Sequence, residues 1–269
     1  MAVKVLYITQ EIFPYLPESE IANKSRQLPQ AIQELGREIR TFMPKYGCVN
    51  ERRNQLHEVI RLSGMNLIID DTDHQLIIKV ASIPAARIQV YFIDNEEFFK
   101  RRFVVKDEAG NDFADNDERA IFFARGVLET VKKLRWAPDV IHCQGWISQI
   151  LPIYLKKAYA DDPIFANSKV VLSIYDDTPT ENFHADFKNR IPYGGISLED
   201  VEILTEPTGI NLAKLAASYA DGIILGSENI PAEITDFCKE KGLPMLPFDA
   251  EALKNGSYID DYNSFYDAI

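Results

Sequence analysis

Short apolar runs alternate with segments of helical spacing along almost the whole chain, and this alternation restricts the possible folds more than any other feature. Residues 3–9 read as a strand. Ile21, Leu28, Ile32 and Leu35 then recur at near-helical intervals in a helix over about 19–35, which Gly36 stops. Residues 39–43 predict a second strand ending at Pro44. A helix over about 116–134 places Ile121, Ala124, Leu128 and Val131 on one stripe. Strands at 140–143, 170–174 and 222–225 follow, separated by helices near 148–160 and 210–219. A helix over 231–241 and a short run at 243–246 come next. Such alternation predicts an α/β fold: one doubly wound, mostly parallel, Rossmann-like sheet with helices on both faces, filling 1–269 as a single lobe.

Between residues 57 and 94 the period changes. Leu67-Ile68-Ile69, Leu76-Ile77-Ile78-Lys79-Val80 and Ile88-Gln89-Val90-Tyr91-Phe92 are β-rich runs, and Asp70-Asp71-Thr72-Asp73 between two of them signals a hairpin. An antiparallel β insertion on the sheet is expected there. The tail, 258–269, is aromatic and acidic and reads as a docking helix.

The 269 residues carry 29 Lys+Arg against 41 Asp+Glu, a net charge of −12. No basic block is present to supply the phosphate attraction on which nucleic-acid binders rely, so no nucleic-acid partner is expected. No run approaches the roughly 18 apolar residues of a membrane span, and the first strand turns polar too quickly for a signal peptide. Cys48, Cys143 and Cys238 are scattered and form no Cys-x-x-Cys, which suggests buried free thiols in a reducing cytoplasm. Four histidines without paired spacing argue against a zinc site, and no cofactor is expected.

In doubly wound sheets, ligands sit beyond the carboxyl ends of the strands. The loop after the first strand, Glu11 to Glu20, contains no glycine with which to cradle a phosphate. Glu18 and Glu20 suit a helix N-terminus but repel an anion, since one carboxylate about 4 Å from an anionic oxygen costs roughly 1 to 4 kcal/mol. Tyr15 of that loop is a candidate sugar contact. His142, within an apolar strand, reads as a core histidine or a ligand contact. Trp146 reads equally as a stacking platform or a core plug. Tyr175 and Asp176 end the next predicted strand. Asp176, Asp177 and Glu228 offer a divalent metal a set of acids, although nothing in their spacing demands one. No Ser-His-Asp signature, Gly-x-Ser-x-Gly or P-loop is present, and no catalytic residue is assigned.

The sequence resembles the N-terminal domain of bacterial starch/glycogen synthases, glycosyltransferase family 5 enzymes of two-lobed GT-B fold. The matching residues are Val5-Leu6-Tyr7-Ile8-Thr9-Gln10-Glu11 with Pro14, Leu28-Pro29-Gln30-Ala31, Leu35-Gly36 and Pro44-Lys45-Tyr46-Gly47. Asp115-Asn116 with Glu118-Arg119, Pro138-Asp139-Val140-Ile141-His142, Trp146 and Pro152-Ile153-Tyr154-Leu155-Lys156 continue the match. Gly209-Ile210-Asn211-Leu212-Ala213-Lys214 and Tyr219-Ala220-Asp221 complete it.

The resemblance implies glucose transfer from ADP-glucose to an α-1,4-glucan in a cleft between two lobes. At the functional positions this chain departs from the family pattern. The family's Lys-Thr-Gly-Gly-Leu reads Pro17-Glu18-Ser19-Glu20-Ile21, and its His-x-His-Asp-Trp keeps only His142 and Trp146, with Gln144 and Gly145 between. Its Thr-Ile-His-Asn reads Ser173-Ile174-Tyr175-Asp176. The expectation is a single lobe lacking the nucleotide-binding partner lobe and inactive alone. It would act as a glucan-binding or regulatory module through Tyr15, His142, Trp146, Tyr175 and Asp176. The alternative is a split synthase whose second lobe another chain supplies. A lobe surface normally covered should be apolar, which predicts a protein partner or self-association.

Overall fold

The computed structural model describes residues 2–269. Its strands are β1 (Lys4–Thr9), β2 (Glu38–Pro44), β3 (His57–Glu58), β4 (Met65–Ile69), β5 (Thr72–Ile83), β6 (Ile88–Asp94), β7 (Val140–Gln144), β8 (Lys169–Ile174), β9 (Gly222–Leu225) and β10 (Met245–Leu246). They form one ten-stranded sheet in the order β10-β9-β8-β7-β1-β2-β6-β5-β3, with β4 paired to β5. From β10 to β6 every pairing is parallel. Chain order reverses beside β1, and this is the switch point at which such sheets open a crevice.

The helices are α1 (Glu20–Glu34), α2 (Glu96–Phe99), α3 (Asn116–Leu134), α4 (Leu151–Ile153), α5 (Phe187–Arg190), α6 (Gly209–Ser218), α7 (Ala232–Glu240), α8 (Ala250–Asn255) and α9 (Tyr258–Ala268). Ser19 caps α1, its Oγ accepting from Ala22 N–H at 2.9 Å, and Gly36 leaves the helix at φ +93°. Helix α3 buries Ile121, Ala124, Leu128 and Val131, as its spacing predicts. The single helix expected near 148–160 is instead broken into a 3-10 turn (Trp146–Ser148), α4 and a π turn (Tyr154–Ala158). Pro152 lacks the N–H that would continue the α-helical ladder back into the preceding turn.

The antiparallel insertion is narrower than the sequence suggests. Strands β4 and β5 form the expected hairpin through Asp70 and Asp71, both at positive φ (+49° and +61°), as a two-residue primed turn requires. Strand β6, however, pairs antiparallel with β5 on one side and parallel with β2 on the other, so it belongs to the main sheet.

One core lies between the sheet and α3, α4 and α6. The other lies on the opposite face, where Val5, Tyr7, Val140, Val171 and Ile224 meet Leu28 and Ile32 of α1 and Tyr258, Tyr262 and Tyr266 of α9. The tail is thus a docked helix, its tyrosines spaced every fourth residue along one face. Cys143 and Cys238 are buried as expected, but Cys48 is exposed.

Among the described residues no helix is long and apolar enough to cross a membrane. Among the described residues the exposed large apolar side chains include Ile60, Ile68, Phe103 and Tyr193, with Phe13 on the loop after β1. The crevice loops turn Ile12, Tyr15, Leu16 and Trp146 inward.

Candidate functional site

The crevice opens above Thr9, Gln144, Ile174 and Leu225, at the carboxyl ends of β1, β7, β8 and β9. Its floor is a chain of side-chain hydrogen bonds. Thr9 Oγ1 and Ser25 Oγ lie 2.6 Å apart, and Ser25 donates to Gln144 Oε1 at 2.9 Å, leaving the buried Gln144 Nε2 without a partner. Gln10 Nε2 donates to Glu11 Oε1 at 3.2 Å, and Ser19 Oγ donates to Glu11 Oε2 at 2.6 Å. A carboxylate of the chain itself therefore stands at the start of α1, where a helix otherwise favours a bound anion.

Lys24, a buried cation at the crevice, is committed elsewhere. Lys24 Nζ donates to Gly226 O at 2.9 Å and lies 5.1, 5.8 and 5.9 Å from the ring centres of Tyr175, Tyr258 and Tyr262. Burial lowers its pKa to about 8, against the pull of Glu20, whose Oε1 is 4.0 Å away. Glu20 Oε2 also accepts from Ser227 Oγ at 2.6 Å, joining α1 to the loop after β9.

Asp177 closes the site from the β8 side. Its Oδ2 accepts from Trp146 N–H at 2.8 Å, while Oδ1 is buried and unpaired. Burial pushes this carboxyl up to about 7, with the negative charges of Glu11 and Asp176 adding to the rise. Gly145 sits between, at φ +83°. A Cβ there would fall 2.7 Å from Gln10 Cβ and 3.3 Å from Asp177 Oδ2.

The residues singled out from sequence occupy three different surroundings. His142 is fully buried: Nδ1 pairs with Tyr266 Oη at 2.7 Å and Nε2 with Ser173 Oγ at 2.6 Å. Burial, aided by the charge of Lys24, lowers its pKa to about 3, so it is a neutral core histidine rather than a ligand contact. Trp146, 2% exposed, is a core plug lying 5.4 Å from the Phe183 ring, not an open stacking surface. Tyr175, 1% exposed, lies beneath Lys24 and so close to Gly226 that a Cβ there would meet its ring at 2.5 Å. It is a packing residue and not a sugar platform. Asp176 alone is exposed at the crevice edge. Tyr15 packs edge-on against Phe92 at 4.9 Å and faces a separate cavity away from the other four. Asp176, Asp177 and Glu228 do not converge, and among the described residues no group of His, Cys, Asp or Glu is arranged to hold a metal ion.

A cavity lies two residues beyond Asp177, among residues that the sequence did not single out. The loop after β8 runs on through Pro179, Glu181, Asn182, Phe183 and His184 and meets Asp112 and Phe113 across a cavity of about 260 Å³. Phe183 rests on Trp146 and Phe187, which fix it from below. Glu181, Asn182 and His184 are exposed. Carboxylate, amide and imidazole groups beside aromatic rings can take sugar hydroxyls and an apolar sugar face together. The run Glu181-Asn182-Phe183-His184, so close behind a parallel strand, was the available signal.

The sequence matches the starch synthase catalytic domain family over residues 4–246. The chain belongs to that family. The glycogen synthase of Chlorobium phaeobacteroides is 41% identical over 235 residues, 84% of this chain and 48% of that protein. That of Chlorobaculum parvum is 35% identical over 275 residues, 99% of this chain and 55% of its own length. This chain thus spans about half the length of these two starch synthase family relatives. The catalytic domain of starch synthase IV from Arabidopsis thaliana, bound to ADP and acarbose, superposes with a TM-score of 0.68 at 17% identity. The match covers 83% of this chain and 45% of that one, and at such identity it shows the shared fold alone.

Proposed function

We propose that this starch synthase family lobe recognises an α-glucan and does not by itself transfer glucose from ADP-glucose. The observation that carries the reading is the contrast within one rim. The cavity lined by Asp112, Phe113, Glu181, Asn182, Phe183 and His184 offers sugar-binding chemistry. The place where a donor diphosphate would approach α1 is occupied by Glu11 and Glu20, and the nearest buried cation, Lys24, is turned onto Gly226 O. A carboxylate about 4 Å from a phosphate oxygen there opposes it by roughly 1 to 4 kcal/mol, depending on solvent screening. Trp146 supports the rim from inside through Phe183.

Calorimetric titration with maltoheptaose, ADP and ADP-glucose tests this. Binding of maltoheptaose that Glu181→Ala and His184→Ala weaken, with no heat from ADP or ADP-glucose, is expected. A second reading, a split glycogen synthase completed by a lobe on another chain, draws on the family membership. Binding of ADP-glucose to this lobe would favour it and overturn the proposal, as would the absence of any glucan binding.

A further inference from the structure

We propose that a second cavity, between the β1–α1 loop and the β3–β5 edge, binds a phosphorylated monosaccharide. The cavity holds about 330 Å³, within the roughly 300–1,000 Å³ range of small-molecule sites. Its charge sets it apart from the rest of the molecule. In a chain of net charge −12, no Asp or Glu lines it, while Arg53 and His57 do.

The Arg53 guanidinium forms no ion pair among the described residues. Arg26 lies near enough for its charge to act on the Tyr15 hydroxyl, and its own side chain is held only by Gln30 Oε1, at 2.7 Å. The acids next in sequence are turned to other work. Glu51 is neutralised by Lys45 at 2.6 Å and Lys79 at 2.8 Å. Glu58 follows His57 along β3, so its side chain leaves the opposite face of the strand.

Tyr15 lines the cavity and is 6% exposed, with its hydroxyl itself buried away from the opening. Asn54 and Gln55 bring side-chain amides, and Pro14, the Tyr15 ring, Ile83 and Pro84 make an apolar wall. A guanidinium fork suits a phosphate, amides suit hydroxyl groups, and the wall suits the C–H face of a pyranose. Inorganic phosphate would leave most of the volume and the whole apolar wall unused. A neutral sugar would leave Arg53 unpaired.

The site is independent of the glucan rim, so the two fail separately. The full chain is titrated with glucose 6-phosphate and glucose 1-phosphate, with glucose and inorganic phosphate as comparisons. One hexose phosphate should bind at one equivalent, more tightly than either comparison and more weakly as salt rises. Arg53→Ala, an exposed change that leaves melting unaltered, should weaken it about tenfold. Glu181→Ala should leave it unchanged. Absence of binding by both hexose phosphates, binding that Arg53→Ala leaves intact, or inorganic phosphate binding equally well would each overturn the proposal.

Discussion

The interior and the carboxyl ends of β7 and β8 handle buried polarity in different ways. On the sheet face beneath α9, His142 has both ring nitrogens paired, and Tyr266 Oη also meets Tyr7 Oη at 3.3 Å. At the crevice, a few residues further along the same strands, Asp177 Oδ1, Gln144 Nε2, Thr178 Oγ1 and the Tyr175 hydroxyl are buried without partners. A satisfied network specifies packing, whereas unpaired atoms cost stability and persist where a surface is shaped for something other than folding. The face beneath α9 also holds one unpaired buried hydroxyl, that of Tyr258, so the difference lies between the fully paired His142 and the open carboxyl of Asp177.

Four substitutions sharpen or break this contrast. The largest effect is expected from Tyr266→Ala, which empties an aromatic site and orphans His142 Nδ1; urea unfolding should show a loss of about 3–5 kcal/mol. A loss near zero would mean that α9 is not part of the cooperative unit. Tyr175→Ala should cost nearly as much, about 3 kcal/mol, while leaving maltoheptaose binding unaltered. Lost binding without lost stability would return Tyr175 to the glucan surface.

Asp177→Asn probes the crevice side through pH. In the fold the carboxyl keeps its proton to about pH 7, whereas unfolded it titrates near 3.8. Unfolding between those values releases a proton, so this group makes stability fall as pH rises through the window, and the penalty is complete above pH 7. The asparagine variant should be more stable than the parent at pH 8 and equal to it near pH 4, by thermal melts in matched buffers. His142 slopes the other way: its folded pKa of about 3 lies below the ordinary 6.5, so its stabilisation is whole above that value and fades as pH falls. The smallest stability effect, within about 0.5 kcal/mol, is expected for the exposed Glu181→Ala, whose reduced glucan affinity would then belong to the rim alone.

Much of the fold was legible because period and punctuation agree with it. The 3.6-residue stripe of α3, the Ser19 and Gly36 boundaries of α1 and the Asp70-Asp71 turn are local signals. The dual pairing of β6 is not local: nothing within Ile88–Asp94 says that one neighbour runs parallel and the other antiparallel. The candidate site was legible at the level of strand ends and failed at the level of side chains. Aromatic residues next to strand ends look alike whether they face solvent or core. Trp146 and Tyr175 are inside because Phe183 covers one, and Lys24 and the distant Tyr258 and Tyr262 cover the other. Arg53 and Tyr15 meet only through folding, so no spacing announces their cavity.

Gly145 makes the backbone itself part of the wall between Gln10 and Asp177. Its φ of +83° is one that few side chains tolerate, and a Cβ there would fall 2.7 Å from Gln10 Cβ and 3.3 Å from Asp177 Oδ2. Any side chain at this position would have to displace both neighbours, so the distance between the loop after β1 and the loop after β8 is set by the absence of one carbon atom.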